Sequence, residues 1–256
     1  MEYNLEKELK LFMIFDILGD TERTGPLLWK INRVRLEDIK DHVCDLLLIY
    51  RILRKYFPQN IDDYKVFDYI ICHDLPEAIT GDITKFEGVS KEERDRVTNM
   101  AINYIDSLIK EVIDFSTILN NYEKRIDIES KIVNMLDKVH SSMPFIKYQS
   151  EKDIDIDNPE ILPILRNHPF VVEKIQEGKD LADIFYEFHL NAVNISDNEC
   201  QRYNISREDA DSITNVIRSF IGEMYNQKVN KNLFEFKKTF PIEAMIYNRK
   251  LKKEDI

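Results

Sequence analysis

His73-Asp74-Leu75-Pro76-Glu77-Ala78-Ile79-Thr80-Gly81-Asp82 decides how this chain is read. A histidine and an aspartate are adjacent, and two more carboxylates follow within eight residues. On a helix, His73 and Glu77 stand four apart and Asp74 and Glu77 three apart, so their side chains gather on neighbouring faces. The flanks are apolar: Phe67, Tyr69, Ile70, Ile71 and Cys72 before, Leu75, Ala78 and Ile79 after. Charge in a segment that seeks burial is costly unless a metal or a partner compensates it. Neutral imidazole with carboxylate is the ligand set of a borderline transition metal.

Two distant segments extend the set. His42 lies in the helix-like run from Glu37 to Tyr50, and Asp137 in the run from Ile132 to His140. A lone histidine on an apolar helix is commonly a satisfied core residue, and a His-Asp dipeptide recurs by chance. The order His, His-Asp, Asp, each inside a helical segment, instead points to one metal centre of His42, His73, Asp74 and Asp137. Four protein ligands leave open positions on a six-coordinate ion. That favours Mn, Co, Fe or Ni, with Zn also admissible, and affinity order alone does not choose.

At 256 residues the chain can bury a sizeable core. Hydrophobic residues make 43% and charged residues 32%, the balance of a globular domain without membrane spans. Six glycines and eight prolines argue against a repeat-rich β architecture. The N-terminus has no signal-peptide pattern. Cys44, Cys72 and Cys200 show neither zinc-finger spacing nor an even disulfide framework. Cys44 and Cys72 read as small buried hydrophobes of a reduced, cytoplasmic protein, with a ligand role as the alternative. A net charge of −11 disfavours binding to extended nucleic acid, yet a bound metal can still attract a small anion. Residues 228–256 carry eight Lys or Arg against four acids, so the rest sums to about −15.

The periodicity predicts an all-α protein. Residues 5–18 read as an amphipathic helix with Leu5, Leu9, Phe12, Ile14, Phe15 and Leu18 inward. Residues 19–37 read as a loop. Helices follow over about 38–56 and from Asp62 or Asp63 to about 79, with Gly81 turning Asp82 back toward the site. Ser90-Lys91-Glu92-Glu93 reads as a capping box opening a helix of about 91–112. Residues 150–163 are an acidic connector, helices return over 170–195, and Ser206 with Asp209 opens one over about 207–226. Residues 227–256 form a basic tail or appendage, which docks its aromatics on the domain, makes dimer contacts or binds an anion.

Three stretches resemble the HD-domain metal-dependent phosphohydrolases, whose signature is H…HD…D, and most nearly their 5'-deoxynucleotidase-like branch. They are Arg23-Thr24-Gly25-Pro26-Leu27-Leu28-Trp29, Glu37-Asp38-Ile39-Lys40-Asp41-His42, and the His73–Ile83 segment, which matches HDxxEAxxGDI. The match covers residues 5–150 well. It implies an HD-domain helical bundle over residues 1–226 with additional C-terminal helices, and a homodimer is expected. It also implies that Glu77 is the acid/base and that Asp82 contacts the substrate sugar or the catalytic water.

Arg23 is the candidate phosphate clamp, since a guanidinium matches phosphoryl oxygens bidentately. Arg33 and Arg35 are alternatives. Trp29 is a candidate for stacking on a base or sugar, although Pro26 stands where some relatives carry an aromatic. Lys138 touches phosphate or pairs with Asp137, while His140 reads as a residue behind the ligands or on the surface, with a ligand role as the alternative. His168 and His189 read as structural. The expected activity is hydrolysis of nucleoside 5'-monophosphates, deoxynucleotides first. The alternatives are an HD enzyme for cyclic, oligomeric or triphosphate nucleotides, and a regulatory nucleotide-binding protein of low turnover.

Overall fold

The computed structural model describes residues 5–230. Fourteen α-helices follow one another along these residues. They are α1 (Glu6–Ile17), α2 (Thr24–Leu28), α3 (Ile39–Leu53), α4 (Asp63–Cys72), α5 (Glu77–Thr80), α6 (Lys91–Ile109) and α7 (Phe115–Lys124). Then come α8 (Ile128–His140), α9 (Met143–Ser150), α10 (Pro163–Arg166), α11 (Pro169–Gln176), α12 (Leu181–Leu190), α13 (Asp197–Tyr203) and α14 (Arg207–Asn230). The only β-pairing among the described residues is an isolated bridge between Glu22 and Asp38. No helix there is long and apolar enough to cross a membrane. The basic tail expected over 227–256 lies outside the described side chains.

The chain divides into two compact units. The first comprises the residues up to Thr24, Glu37–Asp137 and Asn194–Thr214. In α3, Asp38 caps the N-terminus by accepting from Asp41 N at 2.7 Å. Ile39, Val43, Leu46, Ile49, Tyr50 and Leu53 form its buried stripe at helical spacing, and His42 lies within that stripe. Burying each Leu or Ile side chain contributes about 1.5–3 kcal/mol. Asp62 caps α4, accepting from Tyr64 N and Lys65 N at 3.0 and 3.3 Å.

α4 and the N-terminal end of α8 are tied twice. Tyr69 Oη donates to Asp127 at 2.9 Å, and Asp62 N donates to Glu129 at 3.0 Å. Asp127 also accepts from Ser130 N at 2.9 Å, capping α8, the helix that carries Asp137. These ties fix the register in which α3, α4 and α8 bring their polar residues inward.

The second unit comprises Gly25–Leu36, Lys138–Val193 and the residues from Asn215 onward. Here α9 packs on α12, with the Phe145 and Phe185 rings stacked at 3.8 Å. Ser142 Oγ donates to Phe185 O at 3.0 Å and meets His189 Nδ1 at 2.8 Å, so His189 is held within the fold as expected. Arg33 Nε donates to Asp153 at 2.5 Å, and its guanidinium lies over the Tyr148 ring at 4.9 Å. Arg33 therefore serves the fold, as an ion-paired side chain.

Several local expectations change. The helix expected to run to about residue 79 stops at Cys72. Pro76 supplies no N–H, and the residue before a proline avoids helical backbone. Leu75 N and Glu77 N accordingly bond back three residues, to Cys72 O and Asp74 O at 3.2 and 2.9 Å. The loop expected over 19–37 contains α2. On α1 only Ile14 is buried, followed by Leu18, whereas Leu5, Leu9 and Phe12 are exposed. Cys44 is exposed, not a buried hydrophobe, because it stands beside the α3 stripe. Ser90 Oγ caps Glu93 N at 3.2 Å, but Glu93 pairs with Arg96 at 2.6 Å, so only half of the capping box forms.

Candidate metal centre and its cleft

Four side chains from α3, α8 and the turn after α4 converge in the first unit. His42 Nε2 lies 3.4 Å from both Asp74 Oδ2 and Asp137 Oδ1. His73 Nε2 lies 3.2 Å from Asp74 Oδ2 and 3.4 Å from His42 Nε2. One ligand atom each from His42, His73 and Asp137 falls within 4.8 Å of the others. Both histidines are buried. Their rings are braced: Ile70 O lies 2.8 Å from His73 Nδ1, and Tyr122 packs edge-on to His73 at 5.4 Å between ring centres. A carbonyl only accepts, so Nδ1 carries a proton and Nε2 is the nitrogen that faces the cluster.

The cluster is short of positive charge. Burial alone would lower the His73 pKa, but Asp74 and Asp137 more than offset it and push it up to about 9. Burial pushes the Asp74 carboxyl up, and His73 and His42 outweigh it, holding it below the ordinary range. Facing imidazole nitrogens and carboxylates at these distances fit a divalent cation: every donor is of the type such an ion takes. His73, Asp74 and Glu77 also line a cleft of about 460 Å3.

Glu77 heads α5, where the chain resumes helix after Pro76. Its Oε2 is buried with no hydrogen-bond partner among the described residues. Burial, reinforced by Asp74 and Asp82, pushes its carboxyl well above the ordinary range. Gly81 follows with φ +70°, a backbone that side chains rarely adopt, and it redirects the chain to Asp82. Asp82 Oδ2 accepts from Thr24 N at 2.7 Å, and Thr24 Oγ1 donates to Asp82 O. Burial pushes the Asp82 carboxyl up, opposed by the Thr24 N–H and by Arg23. Asp82 thus anchors the Arg23–Thr24 segment from 58 residues away.

Arg23 NH1 sits 2.5 Å from His42 Nδ1 and 3.7 Å from Glu37. Burial would lower its pKa, but Glu37, Asp137, Asp74 and Asp82 together raise it. The arginine is therefore held charged at the edge of the cluster. Trp29 and Lys138 belong to the second unit. Trp29 is 5% exposed, with its ring edge-on to Phe185 at 6.0 Å. Cleft residues that the sequence reading passed over come from α6 (Arg94, Thr98, Asn99) and α7 (Glu123). Their helical spacing was visible, but polar residues at that spacing ordinarily mark a solvated face.

A family model described as HD domain matches residues 15–169. The chain is 27% identical over 164 residues to the 5'-deoxynucleotidase hdd1 of Schizosaccharomyces pombe, covering 59% of this chain and 80% of that protein. It is 22% identical over 142 residues to the human 5'-deoxynucleotidase HDDC2, covering 54% of this chain and 68% of that protein. A solved structure of a predicted metal-dependent phosphohydrolase from Magnetospirillum magnetotacticum superposes with a TM-score of 0.54 at 13% identity, over 88% of this chain and 93% of that one. At that identity the likeness speaks for the fold alone.

Proposed function

Because this chain belongs to the HD-domain family, we propose that it hydrolyses the phosphate ester of nucleoside 5'-monophosphates, deoxynucleotides first. It is a metal-dependent phosphoric monoester hydrolase. The observation that carries this reading is the convergence of two imidazole nitrogens and two carboxylates within 3.2–3.4 Å at a cleft. The deoxynucleotidase relatives support the substrate class.

A divalent metal belongs to the reading, and His42, His73, Asp74 and Asp137 are the residues that would hold it. When bound, it supplies Lewis acidity toward a phosphoryl oxygen and toward water. The donor set of two imidazoles and two carboxylates suits Mn, Co, Fe, Ni or Zn. The chain's own groups do the rest. An imidazole that gave Nε2 to a cation would carry its proton on Nδ1, and the Arg23 guanidinium would then turn from His42 and offer its donors to phosphate oxygens. Glu77 exchanges a proton with water or with the leaving 5'-oxygen. Asp82 holds the Arg23 loop and faces the sugar or the water.

The same reading covers residues 1–226 as the working domain, a cytoplasmic location in keeping with three unpaired cysteines, and a homodimer. A panel of nucleoside mono- and triphosphates and cyclic dinucleotides, assayed with Mn2+ or Co2+, tests it. Phosphate release from deoxynucleoside monophosphates is expected. Turnover of triphosphates or cyclic dinucleotides alone would replace the substrate class.

A further inference from the structure

The cleft has a second wall. One side, from the turn after α4 through α5, presents His73, Asp74 and Glu77. The other, on α6, presents Arg94 and Asp95 and, a turn further on, Thr98 and Asn99, with Asp95 ion-paired to Lys91 at 2.8 Å. Apolar side chains line the cleft as well, among them Ile102 of α6 and Leu119 of α7. Arg94 is the only arginine or lysine among the lining residues, and Glu123 of α7 is also there. Val89 O accepts from Arg94 NH1 at 2.6 Å, which steadies the guanidinium at the start of α6 and leaves its other donors for a ligand.

A nucleotide has the matching layout: an anionic ester, an apolar body, and a base whose edges carry hydrogen-bond donors and acceptors. If the ester sits at the metal centre, the α6 wall is left for the base. We propose that this wall is the nucleobase-recognition surface, with Arg94 and Asn99 as specificity-determining residues. The two signs of charge on the cleft walls match guanine best. A guanidinium pairs with acceptors such as O6 and N7, and the Glu123 carboxylate accepts from the N1 and N2 hydrogens. Adenine offers an amino donor where guanine has O6, so Arg94 discriminates against it.

This inference rests on the reading of the cleft as a nucleotide site, and the experiment separates the two. kcat/KM is measured for dGMP, dAMP and base-free 2-deoxyribose 5-phosphate with wild type, Arg94→Met, Arg94→Lys and Asn99→Ala. Wild type is expected to prefer dGMP over dAMP. Arg94→Met should lose about tenfold or more on dGMP, the scale of a lost hydrogen bond to a charged group, and clearly less on the base-free ester. Arg94→Lys should not restore it, because an ammonium lacks the bidentate fork.

Parallel losses on dGMP and the base-free ester, or no loss on either, would overturn the proposal while leaving the phosphatase reading intact. If wild type hydrolyses no nucleotide, the phosphatase reading fails instead. Calorimetric titration of dGMP into metal-free protein then decides: weaker binding by Arg94→Met supports the wall, and equal binding refutes it.

Discussion

Glu77 is a carboxylate placed where burial costs most, three residues after Asp74 and with Oε2 left without a donor among the described residues. A group kept at that cost has work to do on a ligand. Glu77→Gln keeps the shape and removes the exchangeable acid. The variant should retain metal and thermal midpoint while kcat falls by roughly 10²-fold or more; full activity would remove Glu77 from the mechanism. At this scale residue chemistry was legible where it was unusual for its setting. His42, His73, Asp74 and Asp137 stood out as polar groups in apolar runs, and the structure places them together. The Thr24–Asp82 link was not legible, since nothing local couples residues 58 apart. Arg94 and Asn99 were hidden for the opposite reason: they look like any solvated helix face.

Helix boundaries and ties belong to the scale of the element. Asp127 caps α8, reaches Tyr69 on α4 and pairs with Lys65 at 3.3 Å. Burial pushes its carboxyl up, but the Ser130 backbone and hydroxyl, Tyr69 and Lys65 more than offset this and hold it below the ordinary range. A depressed folded pKa contributes stability above the unfolded value of ~3.9, and that contribution is lost as pH falls through the folded pKa. Asp127→Ala should therefore cost about 1–2 kcal/mol in urea unfolding at pH 7, with the gap to wild type closing toward pH 3. A pH-independent gap would assign the loss to packing instead. The capping residue of α4 was readable as a sequence signal, whereas the sequence reading named no cap for α3. The end of α4 was misread because an unbroken apolar pattern outweighed Pro76, whose missing N–H does decide the backbone.

For the whole molecule, two matters remain: what covers α1 and what fills the centre. Leu5, Leu9, Phe12, Met13 and Ile17 follow helical spacing, yet are 45–63% exposed. The stripe fooled the sequence reading because periodicity reports an apolar face, not what covers it. Exposed apolar residues at helical spacing are what an interaction surface requires, and the homodimer proposed above would have this face available to it. Light scattering should give a dimer mass for the full chain and a monomer for Phe12→Asp; a monomeric wild type would refute the homodimer. The helical class, by contrast, followed directly from the periodicity, since most helices bury one stripe and expose the rest. The central claim is that α3, the turn after α4, and α8 build one cation site. Crystals grown with Mn2+ and measured at the manganese absorption edge test it most directly. A single strong anomalous peak within bonding distance of His42, His73, Asp74 and Asp137 is expected. A peak elsewhere, or none at saturating metal, would contradict it.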